Sequence, residues 1–241
     1  MNAIRKSLLT LRGAASFIDL MRHPDHLDQV FTLADSLSAA NPKFLESLRD
    51  GFAQDPVGAR ALADKPRVGA IDMAALLRLP AGTLGRVYAE HMTKNRLDPS
   101  AIPSRPSTTD IEYVRAHLFE SHDIWHAVTG FDADFAGEGG LQAFYLAQFP
   151  ARLSAAILAL GILNTLFYAF DERDVRMRAF VRGWLLGKRA KKFFGVDWKA
   201  LWATPIDEVR AALGVDIAGV EAALPSLETA RAGADAAAIA A

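Results

Sequence analysis

Between residues 122 and 138 the chain reads HDIWHAVTGFDADFAGE, which gathers two imidazoles and several carboxylates into one short stretch. On a helix over residues 111 to 128, at 100° per residue, His126 lies about 40° and Asp123 about 100° from His122, so three donors share one face. Imidazole nitrogens and carboxylate oxygens are what zinc and other borderline divalent ions accept, and histidines at i, i+4 are spaced for one ion. Glu138 follows His126 after eleven intervening residues and a glycine-containing turn, from where it can close the site from a second element. Such a histidine pair also occurs as plain helix surface or as a hydrogen-bonded core pair. The added carboxylates favour a metal site over both.

The elements that must position these groups read as helices. Thr109 and Glu112 form a capping-box pattern that starts the histidine-bearing helix. Before it, IDMAALLRLPAGTLGRVYAEHM (71 to 92) predicts a tight helix-turn-helix: Pro80 ends one helix, Gly82 turns, Thr83 caps, and Leu84, Val87, Tyr88 and His91 restart the period. Arg86 and Tyr88 are candidates for holding a carboxylate or phosphate, against the plainer roles of surface pairing and packing. His91 reads as a satisfied, partly buried histidine. Pro99, Pro103 and Pro106 predict a loop over 98 to 107.

After Glu138, the residues Leu141, Phe144, Tyr145 and Gln148 continue as helix to Pro150. LSAAILALGILNTLFYAF (153 to 170) then has no charged side chain in eighteen positions. That length sits at the lower edge of a membrane span, and Ser154, Gly161, Asn164, Thr165 and Tyr168 dilute it, so a buried helix lining an apolar pocket is the expectation. Residues 173 to 192 interleave eight Arg and Lys with Phe180, Trp184, Leu185 and Leu186. They fit a solvated face or an anionic membrane surface; no nucleic-acid module accompanies them.

The 241 residues, 51% of them hydrophobic, give room for one large core. A formal net charge of −1 argues against a globally basic nucleic-acid binder. Absence of cysteine excludes disulfides and thiolate metal sites and fits a reducing cytoplasm. Arg5, Lys6 and Arg12 break any continuous secretory h-region. Ile4, Leu8, Leu11, Ala15 and Ile18 predict a first helix packed on the core, or else one lying on a membrane surface or acting as an organellar presequence. A second helix follows Pro24; His23, Asp25, His26 and Asp28 at its start form a rival ligand cluster, which reads as a surface capping region. Phe44, Leu45, Leu48 and Phe52 mark a third. With no period-two run, the expected fold is all-α: a single-domain helical bundle over 1 to 224, with a buried apolar helix and a metal site on a central helix, and a disordered Ala-rich tail over 225 to 241.

Three segments resemble one family. HDIWH followed by eleven residues and Glu is similar to the H-D-x-x-H-x11-E signature of the Coq four family of ubiquinone (coenzyme Q) biosynthesis proteins. LPAGTLGRVY resembles its L-P-x-G-T-x-G-R-x-Y segment, and DWKALWATPIDEVRAALGV (197 to 215) its closing W-x6-P-x3-V-R-x-x-L-G segment. The family's R-Y-R-E before the histidines is His117-Leu118-Phe119-Glu120 here, which keeps only the glutamate. The resemblance implies metal ligands at His122, Asp123, His126 and Glu138, holding zinc or, in the same ligand set, iron(II). It implies a polyprenylated quinone precursor or isoprenoid lipid as ligand, with oxidative loss of a ring carboxylate. Other ubiquinone biosynthesis enzymes, a membrane surface and a second copy in a homodimer are the partners implied, at the cytoplasmic side of the inner membrane in a bacterium. A lipid-binding scaffold without catalysis and a metal-dependent hydrolase are the alternatives.

Overall fold

The computed structural model describes residues 42–102 and 107–225, with Asp19, Thr32, Leu33 and Ser36 besides. The expected first two helices, the cluster at His23, Asp25, His26 and Asp28, the loop centre at Pro103 to Pro106 and the tail beyond Pro225 lie outside the described residues. Eleven α-helices and no strand occur among the described residues, so the all-α expectation holds. They are α1 (Pro42–Ala53), α2 (Pro56–Asp64), α3 (Met73–Leu77), α4 (Leu84–Lys94), α5 (Asp110–Glu120), α6 (His122–Thr129), α7 (Phe135–Gln148), α8 (Arg152–Tyr168), α9 (Arg173–Arg189), α10 (Ile206–Leu213) and α11 (Ile217–Ala223).

The α7–α9 pair is the most extensive helix contact. Glycines make it possible: a Cβ on Gly183 would stand 1.8 Å from the Gly140 carbonyl oxygen, and one on Gly187 2.7 Å from that of Phe144. Backbones approach this closely only where side chains are missing. At the far end, buried Gln148 ties the same two helices, its Nε2 donating to the Gly187 carbonyl (2.8 Å) and its Oε1 accepting from the Phe193 amide (3.0 Å).

The expected single helix over 111 to 128 is divided. Thr109 and Glu112 do form the reciprocal capping box of α5, but at Ser121 the backbone turns to φ −94°, ψ −3° and α6 begins anew. The Ser121 hydroxyl donates to the His117 carbonyl at 2.7 Å, a local bond that competes with the helical ladder. His117, where the family carries arginine, is a core residue. Its Nε2 accepts from the Gly195 amide (3.1 Å) and its Nδ1 faces the Tyr113 hydroxyl at 3.3 Å. Glu120, the retained glutamate, is gripped by Arg67, whose Nε lies 2.9 Å from one carboxylate oxygen.

The two outer resembling segments clasp each other. Gly82 takes φ +80° as the turn requires, and its carbonyl accepts from the Ile206 amide (2.8 Å), while the Leu84 and Gly85 amides donate to Thr204 (2.8 Å) and Trp202 (2.9 Å). The free amides of the α4 N-terminus are thus satisfied by distant backbone. Thr83 stands at the cap position, but its hydroxyl donates to the Pro80 carbonyl instead.

α8 differs from its expected burial. Its buried residues are Ser154, Leu160, Gly161, Asn164 and Thr165, whereas Ile162, Leu166, Phe167 and Tyr168 are exposed. The reason is Arg176 of α9, itself buried, which donates to Asn164 Oδ1 (2.8 Å) and Thr165 Oγ1 (3.0 Å). A buried guanidinium demands acceptors, so the polar residues of α8 turn inward and its apolar ones turn out. Among the described residues no helix is long and apolar enough to cross a membrane.

Two outcomes follow from this packing. Gly183→Ala should lower the chemical-denaturation stability by at least about 2 kcal/mol, because only a backbone shift can admit the methyl group. Burial pushes the His117 pKa down to about 4, so the unfolded chain binds the proton more readily than the folded one. The stability tied to His117 is full above about pH 6.5 and is lost as pH falls toward 4, amounting to roughly 2 kcal/mol by pH 5. Urea titrations at pH 7 and pH 5 should show that loss in the natural chain and a smaller one in His117→Gln.

Candidate metal centre

Trp125 orients the histidine helix. It is completely buried, stacks on Tyr145 at 4.2 Å and meets Phe144 and Phe193 edge-on. With that face of α6 fixed in the core, His122 and His126 are turned toward α7. Glu138 meets them from the first turn of α7, whose start is set by Asp134 capping the Gly137 amide at 2.7 Å.

His122, His126 and Glu138 offer one donor atom each, all within 4.8 Å of one another. Glu138 Oε1 stands 3.1 Å from His126 Nε2 and Oε2 stands 3.6 Å from His122 Nε2. Donors each about 2.0–2.1 Å from a tetrahedral ion lie roughly 3.3 Å apart, so these separations suit one shared ion. The two imidazole planes are nearly perpendicular, 86° apart.

The fit rests further on His126. Its side chain is 0% exposed, and its Nδ1 donates to the Phe131 carbonyl at 3.3 Å. That bond leaves Nε2 with its lone pair, facing the site, in the tautomer a metal requires. This Nε2 has no hydrogen-bond partner although Glu138 is close; the two atoms lie as co-ligands do, with lone pairs converging. His122 and Glu138 are 27% and 37% exposed, which leaves the site open on one side. Burial opposes the charge of Glu138, but in the metal-free protein the facing imidazoles, when protonated, hold its carboxyl well below the usual range. Burial likewise opposes the imidazolium of His122, and Glu138 and Asp123 outweigh it to raise that pKa.

Asp123 is not part of the converging set. At about 60° beyond His126 around the helix it leaves the α7 side, and its charge is felt instead by Tyr88 and His91 of α4 and by Tyr145. Neither member of the other candidate pair reaches the centre as a ligand. Arg86 bonds Glu90 at 2.5 Å and the Leu77 carbonyl, and Tyr88 is core beside Trp202.

Three supports escaped the sequence reading. His91, expected to be satisfied, stacks on His126 with ring centroids 5.4 Å apart, and its buried Nε2 has no partner. Arg210 donates to the Val128 (2.9 Å) and Ala127 (3.2 Å) carbonyls, and Arg182 to those of Thr129 (3.0 Å) and Gly130 (3.3 Å). The last three carbonyls of the histidine helix and that of Gly130 just beyond it are therefore held by two cations, which also suits the helix dipole. Arg210 stands in the resembling V-R pair, the one signal available; Arg182 and His91 carried none. A cavity of about 250 Å³ opens elsewhere, among Phe44, Leu146, Pro150, Arg152 and Ala155, and none of the three ligands lines it.

Comparison with known proteins agrees with this architecture. The family described as "Coenzyme Q (ubiquinone) biosynthesis protein Coq4" matches residues 1–218. The ubiquinone biosynthesis protein COQ4, mitochondrial, of Pyricularia oryzae is 31% identical over 88% of this chain and 68% of its own length. Its counterpart in Eremothecium gossypii is 29% identical over 87% of this chain and 64% of its own, so the chain spans about two thirds of these relatives. Both are named as mitochondrial, a different compartment from the bacterial membrane face expected from the sequence. A crystal structure from Nostoc punctiforme, provisionally described as a ubiquinone biosynthesis protein, superimposes with a TM-score of 0.74 at 29% identity, covering 85% of this chain and 97% of that one.

Titration of metal-free protein with zinc should give one site per chain. His126→Ala and Glu138→Ala should each weaken it by about a hundredfold or more, and Asp123→Asn by less than about tenfold. Equal losses at all three positions would return Asp123 to the ligand set.

Proposed function

The chain belongs to the Coq4 family of coenzyme Q (ubiquinone) biosynthesis proteins, and from that premise we propose that His122, His126 and Glu138 hold a divalent ion beside which a polyprenylated aromatic precursor loses its ring carboxylate. The supporting observation is the buried, unpartnered Nε2 of His126 in a site that stays partly open on its His122 and Glu138 side. An ion bound there supplies a Lewis acid for a carboxylate or phenolate oxygen. Two histidines and one carboxylate suit zinc and equally iron(II), and an oxidative course needs the latter or a separate electron acceptor.

The protein's own groups have separable tasks in this reading. The Phe131 carbonyl accepts from His126 Nδ1 and so turns Nε2 toward the site, and Glu138 stays ionised. Tyr145, buried and packed against the Trp125 ring at 4.2 Å and the His122 ring at 6.0 Å, holds the His122 imidazole from the core side. Burial, with Asp123 and Glu138 nearby, raises the Tyr145 phenol well above its usual range, so it remains a neutral donor. Asp123, outside the triad, is the carboxyl group free to pass a proton from solvent to the ring carbon that is left with the electron pair of the broken carbon–carbon bond.

The scaffold alternative, in which the ion only staples α6 to α7, is favoured by a closed dry site; the exposure of His122 and Glu138 argues for an open coordination position. A hydrolase is favoured by a small polar pocket, against which the aromatic surroundings of Trp125, Tyr88 and Tyr145 weigh. The test is replacement of the resident copy in a ubiquinone-producing cell. Glu138→Ala should accumulate a prenylated precursor that still carries the ring carboxylate, and Asp123→Asn should do so while keeping its metal. Full ubiquinone restoration by both variants excludes the catalytic reading and leaves the scaffold.

A further inference from the structure

One enclosed donor beside the triad has no acceptor. Among the described residues, His91 Nε2 is shut off from solvent and makes no hydrogen bond. A group left in that state bears its full desolvation cost and is uncommon in native proteins except where a ligand supplies the missing partner. Its neighbours decide which ring nitrogen carries the proton. The Asn95 amide nitrogen donates to the His91 carbonyl at 3.0 Å and to Asp132 Oδ1 at 3.1 Å, and the Lys94 ammonium holds the other oxygen of that carboxylate. Two oxygens therefore fix the amide with its nitrogen toward His91 Nδ1, 3.5 Å away. An amide nitrogen can only donate, so Nδ1 is the acceptor of the ring and the proton sits on Nε2.

The direction of that N–H is set as well. The His91 and His126 rings lie within 20° of parallel, with centroids 5.4 Å apart. Both turn Nδ1 toward the segment that joins α6 to α7: His126 Nδ1 meets the Phe131 carbonyl, and His91 Nδ1 meets Asn95, which is bound to Asp132. Both Nε2 atoms consequently point away from that segment and to the same side. There His126 Nε2 stands 3.1 Å from Glu138 and offers a lone pair, while His91 Nε2, one ring away, offers a proton. A metal-binding atom and a hydrogen-bond donor side by side suit an anion with two oxygens. A phenolate has one oxygen and can satisfy only one of them, whereas a carboxylate can give one oxygen to an ion at His126 and the other to His91.

We propose that His91 recognises the carboxylate of the ligand, its Nε2–H donating to one carboxylate oxygen while the other faces the ion held by the triad. That role depends on the metal reading above and decides between the two oxygens left open there: the carboxylate, and not the phenolate, meets the ion. Zinc-loaded full-length protein should bind benzoate about tenfold or more tightly than phenol in calorimetric titrations, because a site built around a donor rejects the analogue that leaves it unpaired. His91→Phe, which keeps a ring against His126, should lose about tenfold in benzoate affinity, with phenol and zinc affinities changed by less than about threefold. His91→Gln, whose amide nitrogen can stand where Nε2 does, should recover most of that loss. Before metal or ligand is added, imidazole ¹H–¹⁵N spectra of the natural chain should show His91 as the Nε2–H tautomer. An Nδ1–H tautomer, no preference for benzoate over phenol, or equal losses for the two probes, which would make His91 a packing residue, overturns the proposal. Failure of zinc to bind the natural chain removes the metal reading and this role with it, whereas zinc binding with benzoate affinity unmoved in His91→Phe removes this role alone.

Discussion

The approach of α7 to α9 through Gly140 and Gly183 is the constraint on which the site depends. With the two backbones in contact, Arg182, the neighbour of Gly183, is delivered over the Phe131 ring at 4.3 Å and onto the carbonyls that end α6. Phe131 in turn packs where a Gly140 side chain would be, 2.3 Å from that missing Cβ, and its carbonyl fixes the His126 tautomer. One close crossing thereby sets the position of Glu138, the end of the histidine helix and the orientation of the buried imidazole. A looser crossing would leave each of these groups present and none of them aligned.

The second organising contact is the clasp between the 82–85 turn and residues 202–206. It is made of backbone hydrogen bonds, which explains why the sequence around it is glycine and proline rather than charge: Gly85 has no room for a Cβ beside Leu79, Leu76 and the Trp202 carbonyl. The clasp fixes α4, which places His91 against His126, and α10, which places Arg210 on the carbonyls of Ala127 and Val128. The two segments that resemble the family's outer motifs therefore act on the site from behind.

The convergence of His122, His126 and Glu138 was legible because its geometry is local. An i, i+4 pair on a helix and a glutamate one turn into the next helix need only the helical period and a short turn to converge. Asp123 misled because a 100° offset counts as the same face on a wheel, but the partner helix α7 covers a narrower arc, and the break at Ser121 comes from a side-chain bond that periodicity does not register. The orientation of α8 was illegible for a different reason. A helix apolar nearly all round carries no directional signal, so its inward face was decided by a charge on another helix, Arg176, and by the two side chains able to satisfy it. The all-helical fold followed from patterning; these departures came from polar groups that had to be paired.

Openness is what separates a working centre from a staple. A structural ion is best served by ligands that are all buried, since water then has no path to compete. Here only His126 is so placed, and it is also the ligand with a fixed tautomer and a helix end anchored by two arginines. His122 and Glu138 stand at the solvent side, with one imidazole and one carboxylate that charge each other favourably. A rigid buried ligand paired with two accessible ones leaves coordination room on the accessible side. Next to that side stands the carboxyl group of Asp123, outside the converging set. In the proposed reading it returns a proton to the ring carbon as carbon dioxide leaves, a task for which a staple has no use.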